Sequence, residues 1–163
     1  MNKYQPHVWV IPEDEATRQL ADGFVLHHGV SAARIGVAPP AGGWSNVRDT
    51  FAREYVPYLR QHPAGHVVMA IDFDGKYVRR RKEFDDAVPH DLSDRVFVIG
   101  VRTTPEATRR ALKQNFENIG RRLAEDCDGG TTTLWNDEDF KHNEPDRLRL
   151  LDVVRPFLFA SGG

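Results

Sequence analysis

Residues 66–75 read HVVMAIDFDG: a run of apolar side chains that ends in two carboxylates one residue apart, Asp72 and Asp74, followed by glycine. A short apolar run bounded by a turn signal suits a strand buried on both faces of a parallel sheet. Aspartate before glycine is also ordinary turn chemistry. The pair therefore takes its meaning from the rest of the chain.

Working outward, HVWVI (7–11) predicts a first strand, ARIGVA (33–38) a second, HVVMAI a third and RVFVIGV (95–101) a fourth. Stretches of helical period separate them. In EDEATRQLADGFVLHHG (13–29), Ala16, Leu20 and Phe24 recur at one-turn spacing and Gly29 supplies a stop. WSNVRDTFAREYVPYLRQH (44–62) predicts a helix capped by Ser45 or Asn46 and kinked or broken at Pro57. TTPEATRRALKQNFENIGRRLAEDC (103–127) predicts one long helix with Thr103 or Thr104 as cap, Pro105 in the first turn, and Leu112, Phe116, Ile119 and Leu123 as its apolar stripe. EPDRLRLLDVVRPFLF (144–159) predicts a closing helix whose last turn Pro156 disturbs. TTTLW (131–135) is a candidate fifth, edge strand, and residues 76–92 show no clear period. Strands alternating with helices predict an α/β, Rossmann-like fold, with a mainly parallel sheet of four to five strands, helices on both faces, and one domain over residues 1–163.

A chain of 163 residues can bury a real core. Its net charge of −2, with acidic and basic residues interspersed, excludes recruitment of nucleic acid or membrane by a global field, so a polyanion site has to be a local basic patch. One cysteine, Cys127, cannot form an intramolecular disulfide, and the N-terminus lacks a basic segment followed by an apolar one. No apolar run approaches the roughly 20 residues that cross a bilayer. A cytoplasmic location without membrane contact is the expectation, and so short a chain leaves room for a protein partner or a homo-oligomer.

In open parallel sheets, ligands bind beyond the carboxyl ends of the strands. The first strand runs into Glu13, Asp14 and Glu15, and the third into Asp72 and Asp74. If the two strands are neighbours, Glu13 and the aspartate pair converge, and clustered carboxylates repel one another unless a cation compensates them. Oxygen donors without a matching His or Cys set favour Mg²⁺ or Mn²⁺. Immediately afterwards, GKYVRRRKEF carries Lys76, Arg79, Arg80, Arg81 and Lys82, either as a solvated helix face or as contacts to a nucleic-acid backbone.

This arrangement resembles the Toprim family, the metal-dependent domain of topoisomerases, primases and OLD-type nucleases. In that family a glutamate follows the first strand and an Asp-x-Asp motif follows the third; VWVIPEDE supplies Glu13, and MAIDFDG supplies Asp72 and Asp74. The resemblance covers roughly residues 7–101. It departs from the pattern where Asp14 replaces the glycine that usually follows the glutamate, which leaves Glu15 as an alternative. The resemblance implies nuclease-like phosphodiester hydrolysis on DNA or RNA, with Mg²⁺ or Mn²⁺ held by Asp72 and Asp74. Glu13 would act as general acid or base or as a further ligand, and the cations at 76–82 would contact phosphates.

The same stretches are also similar to a response-regulator receiver domain, with Glu13 and Asp14 as the acidic pair, Asp72 as phosphoacceptor and Thr103 or Thr104 after the fourth strand; the lysine it requires would be Lys141. A non-catalytic α/β binding module is the third alternative. His27 and His28 near a helix end, His142 and Asn143 in FKHNEPD, and the glycines of PPAGGWSN are weaker candidates, and Cys127 lacks a histidine partner.

Overall fold

In a computed structural model that describes residues 1–159, four parallel strands form one sheet: β1 (His7–Pro12), β2 (Ile35–Val37), β3 (Gly65–Asp72) and β4 (Val96–Val101), in the order β2-β1-β3-β4. The registers pair Val10 with Val37, Pro12 with Ala70, and Asp72 with Val101. From β1 the chain crosses to β2 on one side and then to β3 on the other. The carboxyl ends of β1 and β3 thus flank the point where strand order reverses, the place where such sheets bind ligands.

Among the described residues there are seven α-helices: α1 (Glu15–Leu26), α2 (Trp44–Thr50), α3 (Val56–Gln61), α4 (Tyr77–Ala87), α5 (Pro105–Leu112), α6 (Phe116–Gly129) and α7 (Glu144–Leu158). Side chains alternate across the pleat. Val8, Val10, Val68, Phe97 and Val101 face a core completed by α1, α6 and α7. Ile11, Val67, Met69, Ile71, Val96 and Val98 face a second core completed by α2, α3 and α4. Burial on both sides explains why each strand reads as a continuous apolar run. No described helix is long and apolar enough to cross a membrane.

The helix expected over 103–127 is two helices. Lys113 adopts a left-handed backbone (φ 55°) that ends α5, and the Asn115 side chain accepts from the Asn118 amide to start α6. Thr104 caps α5, accepting from the Ala107 amide. Neither Ser45 nor Asn46 caps α2; Gly43 (φ 117°) stands there without a side-chain cap, and Asn46 donates to the Gly42 carbonyl. At Pro57 the chain does not leave the helical path: a π-helical turn at Phe51–Tyr55 leads directly into α3, the wider turn accommodating a residue without an N–H. Helix α7 likewise runs through Pro156 to Leu158. On the first face α1 and α6 cross at Gly23 and Gly120, where a Cβ on Gly120 would overlap the Leu20 carbonyl oxygen and one on Gly23 that of Glu117.

No strand forms at 131–135, which is a series of turns. Side chains occupy the open edge of β4 instead. Asp146 Oδ2 accepts from the Val98 amide (2.7 Å), and Arg81 donates to the Val98 carbonyl (3.3 Å). Asn143 spans both groups of Gly100, accepting from its amide (3.1 Å) and donating to its carbonyl (2.9 Å), while Arg149 donates to the Val96 carbonyl (3.2 Å). An edge closed this way offers no ladder to another strand. Asp146, 3% exposed, also receives a two-pronged ion pair from Arg81 (2.8 and 2.9 Å) and a bond from Arg149 (3.2 Å). Removing a buried carboxylate strands the charges around it, so Asp146→Ala should lower unfolding free energy by about 3 kcal/mol. Urea unfolding checks this, with the midpoint falling and the slope unchanged.

Candidate functional site

Glu13 lies just past β1 and is 7% exposed. Its amide continues the ladder to the Ala70 carbonyl (2.9 Å), its carbonyl accepts from the Gly42 and Gly43 amides (2.9 and 3.1 Å), and its carboxylate Oε2 accepts from the Asp72 amide (2.7 Å). Burial pushes its pKa up; the Asp72 N–H opposes this, and the nearby Asp14 and Asp74 carboxylates reinforce it. The glycine amides of PPAGGWSN are therefore turned onto Glu13. Asp14, in the place the Toprim pattern gives to glycine, caps α1 by accepting from the Thr17 amide and hydroxyl (both 2.8 Å). Glu15 is exposed and paired with Arg18, so Glu13 is the glutamate that meets the aspartates.

Asp72 ends β3 and is 8% exposed, and its Oδ1 is buried without a hydrogen-bond partner. Its pKa is pushed up to about 8, first by burial and then by repulsion from Glu13 and from Asp74, whose carboxyl lies within hydrogen-bonding reach. Asp74 is exposed in a tight turn whose two central residues, Asp74 (φ 50°) and Gly75 (φ 73°), are both left-handed and which the Lys76 amide closes onto the Phe73 carbonyl (2.7 Å). Bonds from the Phe73, Asp74 and Gly75 amides to the Val101, Thr103 and Arg102 carbonyls stitch this turn to the end of β4. Aspartate tolerates the left-handed region better than most residues. The Asp-x-Asp-Gly stretch is thus both a turn and a pair of converging carboxylates.

Among the described residues no three His, Cys, Asp or Glu side chains are arranged to hold a metal. Glu13 is not a ready third ligand, because Oε2 is engaged by the Asp72 amide. Mg²⁺, however, is commonly held by one or two carboxylates and completes its shell with water and substrate phosphates. Asp72, with its orphaned oxygen, and the adjoining Asp74 fit that donor set.

The five cations of the following segment do not share a face. Arg80 is 7% exposed; its guanidinium lies 4.1 Å from the centre of the Trp44 ring and donates to the Asp72 carbonyl (3.4 Å) and Asp74 Oδ2 (3.5 Å). Arg81 is bound to Asp146. Lys76, Arg79 and Lys82 are exposed, the last two beside Glu83 (3.9 Å) and Asp86 (2.7 Å). Sequence periodicity alone does not reveal that Arg80 and Arg81 turn inward, since their partners are remote or in turns.

His142 joins the same end of the sheet, packing on Phe73 and Tyr77 with ring centres 5.3 and 5.1 Å apart. Its Nε2 lies 2.7 Å from the Gly100 carbonyl, which only accepts, so that nitrogen carries a proton. Burial pushes its pKa down, leaving Nδ1 a buried acceptor without a partner. Thr103 and Lys141, singled out by the receiver comparison, are paired with Asp139 (3.1 Å) and Glu138 (2.8 Å). His27 bonds Asp128 (2.8 Å) rather than helix-terminal carbonyls, and burial pushes the Cys127 thiol up to about 12.

No protein-family model matches the chain, and no solved structure matches it. Two proteins with provisional peptide-permease names, from Brucella abortus biovar 1 and Brucella melitensis biotype 1, are each 38% identical to it over 60 residues. That stretch is 34% of this chain, which spans 20% of the length of those relatives.

The hold of Glu13 on the Asp72 amide separates charge from hydrogen bonding. Glu13→Gln keeps an acceptor and removes a repelling charge, so it should hold stability within about 1 kcal/mol of the original. Glu13→Ala leaves a buried amide unpaired and should cost about 2–3 kcal/mol. Parallel denaturant titrations check the contrast; equal losses in both variants would mean that the bond contributes nothing.

Proposed function

We propose that this chain carries out Mg²⁺- or Mn²⁺-dependent phosphodiester chemistry on nucleic acid, of the nuclease-like kind implied by the Toprim resemblance. The supporting observation is the meeting of Asp72 and Asp74 beside Glu13 at the strand-order switch point, with one Asp72 oxygen buried and unpartnered. Asp72 and Asp74 would hold the ion, which when bound would neutralise charge on a phosphate oxygen. Glu13 is placed to fix Asp72 through its amide and, with its raised pKa, to hold a proton near the reacting groups. Arg80 orients Asp74 and supplies the internal counter-charge. Lys76, Arg79 and Lys82 are left to meet the flanking phosphates, while Arg80 and Arg81 stay committed inside the fold.

Metal titration tests the first part. Mg²⁺ or Mn²⁺ should raise the melting temperature by about 3 °C at tenfold excess over Kd, and the double variant Asp72→Asn with Asp74→Asn should lose the rise together with any metal-dependent cleavage of DNA or RNA. An unchanged metal response in that variant removes the aspartates from the site. Stoichiometric, Asp72-dependent capture of beryllofluoride would favour the receiver-like alternative.

The exposed cations give a separate test. Replacing Lys76, Arg79 and Lys82 by Ala should weaken nucleic-acid binding irrespective of base sequence and reduce the salt slope of log K by up to about 3. Affinities measured at several salt concentrations check this, and equal slopes would make the segment a solvated helix face.

A further inference from the structure

Arg147, on α7, is 8% exposed, yet among the described residues its guanidinium has no hydrogen bond and no ion pair; it stands 5.9 Å from the centre of the Trp135 ring and near enough to the Cys127 thiol to oppose the rise of that thiol's pKa. Other arginines nearby are satisfied: Arg149 reaches two carbonyls and Asp146, and Arg155 donates to the Cys127 carbonyl (2.8 Å). Asp126, which borders the same groove, accepts from the Thr131 hydroxyl (2.6 Å) and the Leu134 amide (2.7 Å) and makes no ion pair with Arg147. Its nitrogens are not sealed off and reach the open groove. The Arg147 guanidinium is thus a cation without an acceptor among the described residues, which an incoming anion can meet through planar, charge-assisted bonds.

Two spaces meet at this residue. One is a cavity of about 130 Å³ between the sheet and helices α1, α6 and α7, with an almost wholly apolar lining that includes Leu20, Phe24, Leu123 and Val154. The other is an open groove of about 490 Å³ between the end of α6 and α7, bordered by Thr131, Asp152 and Arg155. Arg147 and Leu151 line both. An inorganic anion would satisfy the guanidinium and leave the cavity empty. A purely apolar guest would fill the cavity and leave the cation bare.

We propose that Arg147 binds the carboxylate of a small amphipathic acid whose apolar part occupies the cavity. A dry cavity of similar size accepts a six-carbon ring, so the apolar part is of about six carbons. Planar guanidinium donors pair with a carboxylate through two parallel bonds, which suits an acid over an alcohol or an amine. The site lies on the α1/α6/α7 face and is separate from the carboxylates at the strand ends.

Hexanoate, acetate and hexylammonium are the probes, applied to the whole chain and to Arg147→Met and Arg147→Lys. Hexanoate should raise the melting temperature by about 3 °C or more at tenfold excess over Kd, with acetate and hexylammonium giving no comparable rise at the same concentrations. Arg147→Met should weaken hexanoate binding at least about tenfold, and Arg147→Lys, which keeps the charge without the fork, should fall between. In the unmodified protein, nuclear Overhauser contacts should link the hexanoate methyl group to the methyls of Leu123 and Val154. Equal hexanoate affinity in Arg147→Met, an acetate effect as large as that of hexanoate, or absence of those contacts at saturating hexanoate each overturns the assignment. If Arg147→Met fails to fold by circular dichroism, the Arg147→Lys affinity and the Overhauser contacts decide by the same criteria.

Discussion

The three-way hold of Glu13 is the constraint on which the strand-end geometry depends. Its amide extends the β1–β3 ladder, its carbonyl draws in Gly42 and Gly43, and its carboxylate takes the Asp72 amide. Two chain segments distant in sequence, the loop at Gly42 and Gly43 and the end of β3, are thereby fixed around one residue. Gly43, at φ 117°, lets the chain turn straight from that anchor into α2, which sets Trp44 against the guanidinium of Arg80. Arg80 then closes the circuit from α4 back to Asp72 and Asp74. Acid, aromatic and cation are interdependent, because the raised pKa of Glu13 reflects burial that Arg80 only partly offsets.

At the other edge of the sheet, the same economy of long-range polar contacts decides how many strands there are. Asp146, Asn143, Arg81 and Arg149 engage both backbone groups of Val98 and Gly100 and the carbonyl of Val96, which leaves β4 no continuous ladder for a neighbour. The segment 131–135 is free to serve elsewhere. Trp135 donates to the Leu123 carbonyl (3.0 Å), and Leu134 is pinned to Asp126. Asp146 is the centre of this edge, and its pairing with Arg81 also explains why a run of cations after Asp74 is not a uniform basic surface.

How far the chain could be read from its letters follows from the range of the forces involved. Strands β1 to β4 and the parallel character of the sheet, though not its strand order, were legible because burial on both faces leaves continuous apolar runs, and Asp72 and Asp74 were legible because a motif ends one of them. The meeting of Glu13 with Asp72 was legible only on the condition that the first and third strands are neighbours, which the sheet order supplies. The break at Lys113 was hidden: Leu112, Phe116, Ile119 and Leu123 keep helical spacing across it, although only the last three are buried. Arg80, Arg81 and Asn143 were misplaced or left open for another reason. Each is fixed by a partner on a different element, and period and propensity carry no information about that partner. His142 shows the same limit, since its polarity is visible in FKHNEPD but its tautomer depends on the Gly100 carbonyl.

A void beside so many apolar side chains would normally shrink, because surrounding groups relax toward it. Here each wall is held from outside the void. Helices α1 and α6 already touch backbone to backbone at Gly23 and Gly120, so neither can move closer to the other. Helix α7 is tied to β4 through Asp146 and Arg149, and to α6 through the Arg155 bond to the Cys127 carbonyl. Asp126 holds the turns at 131–135 through the Thr131 hydroxyl and the Leu134 amide. The cavity therefore persists because the contacts that would collapse it are already committed to positioning the helices.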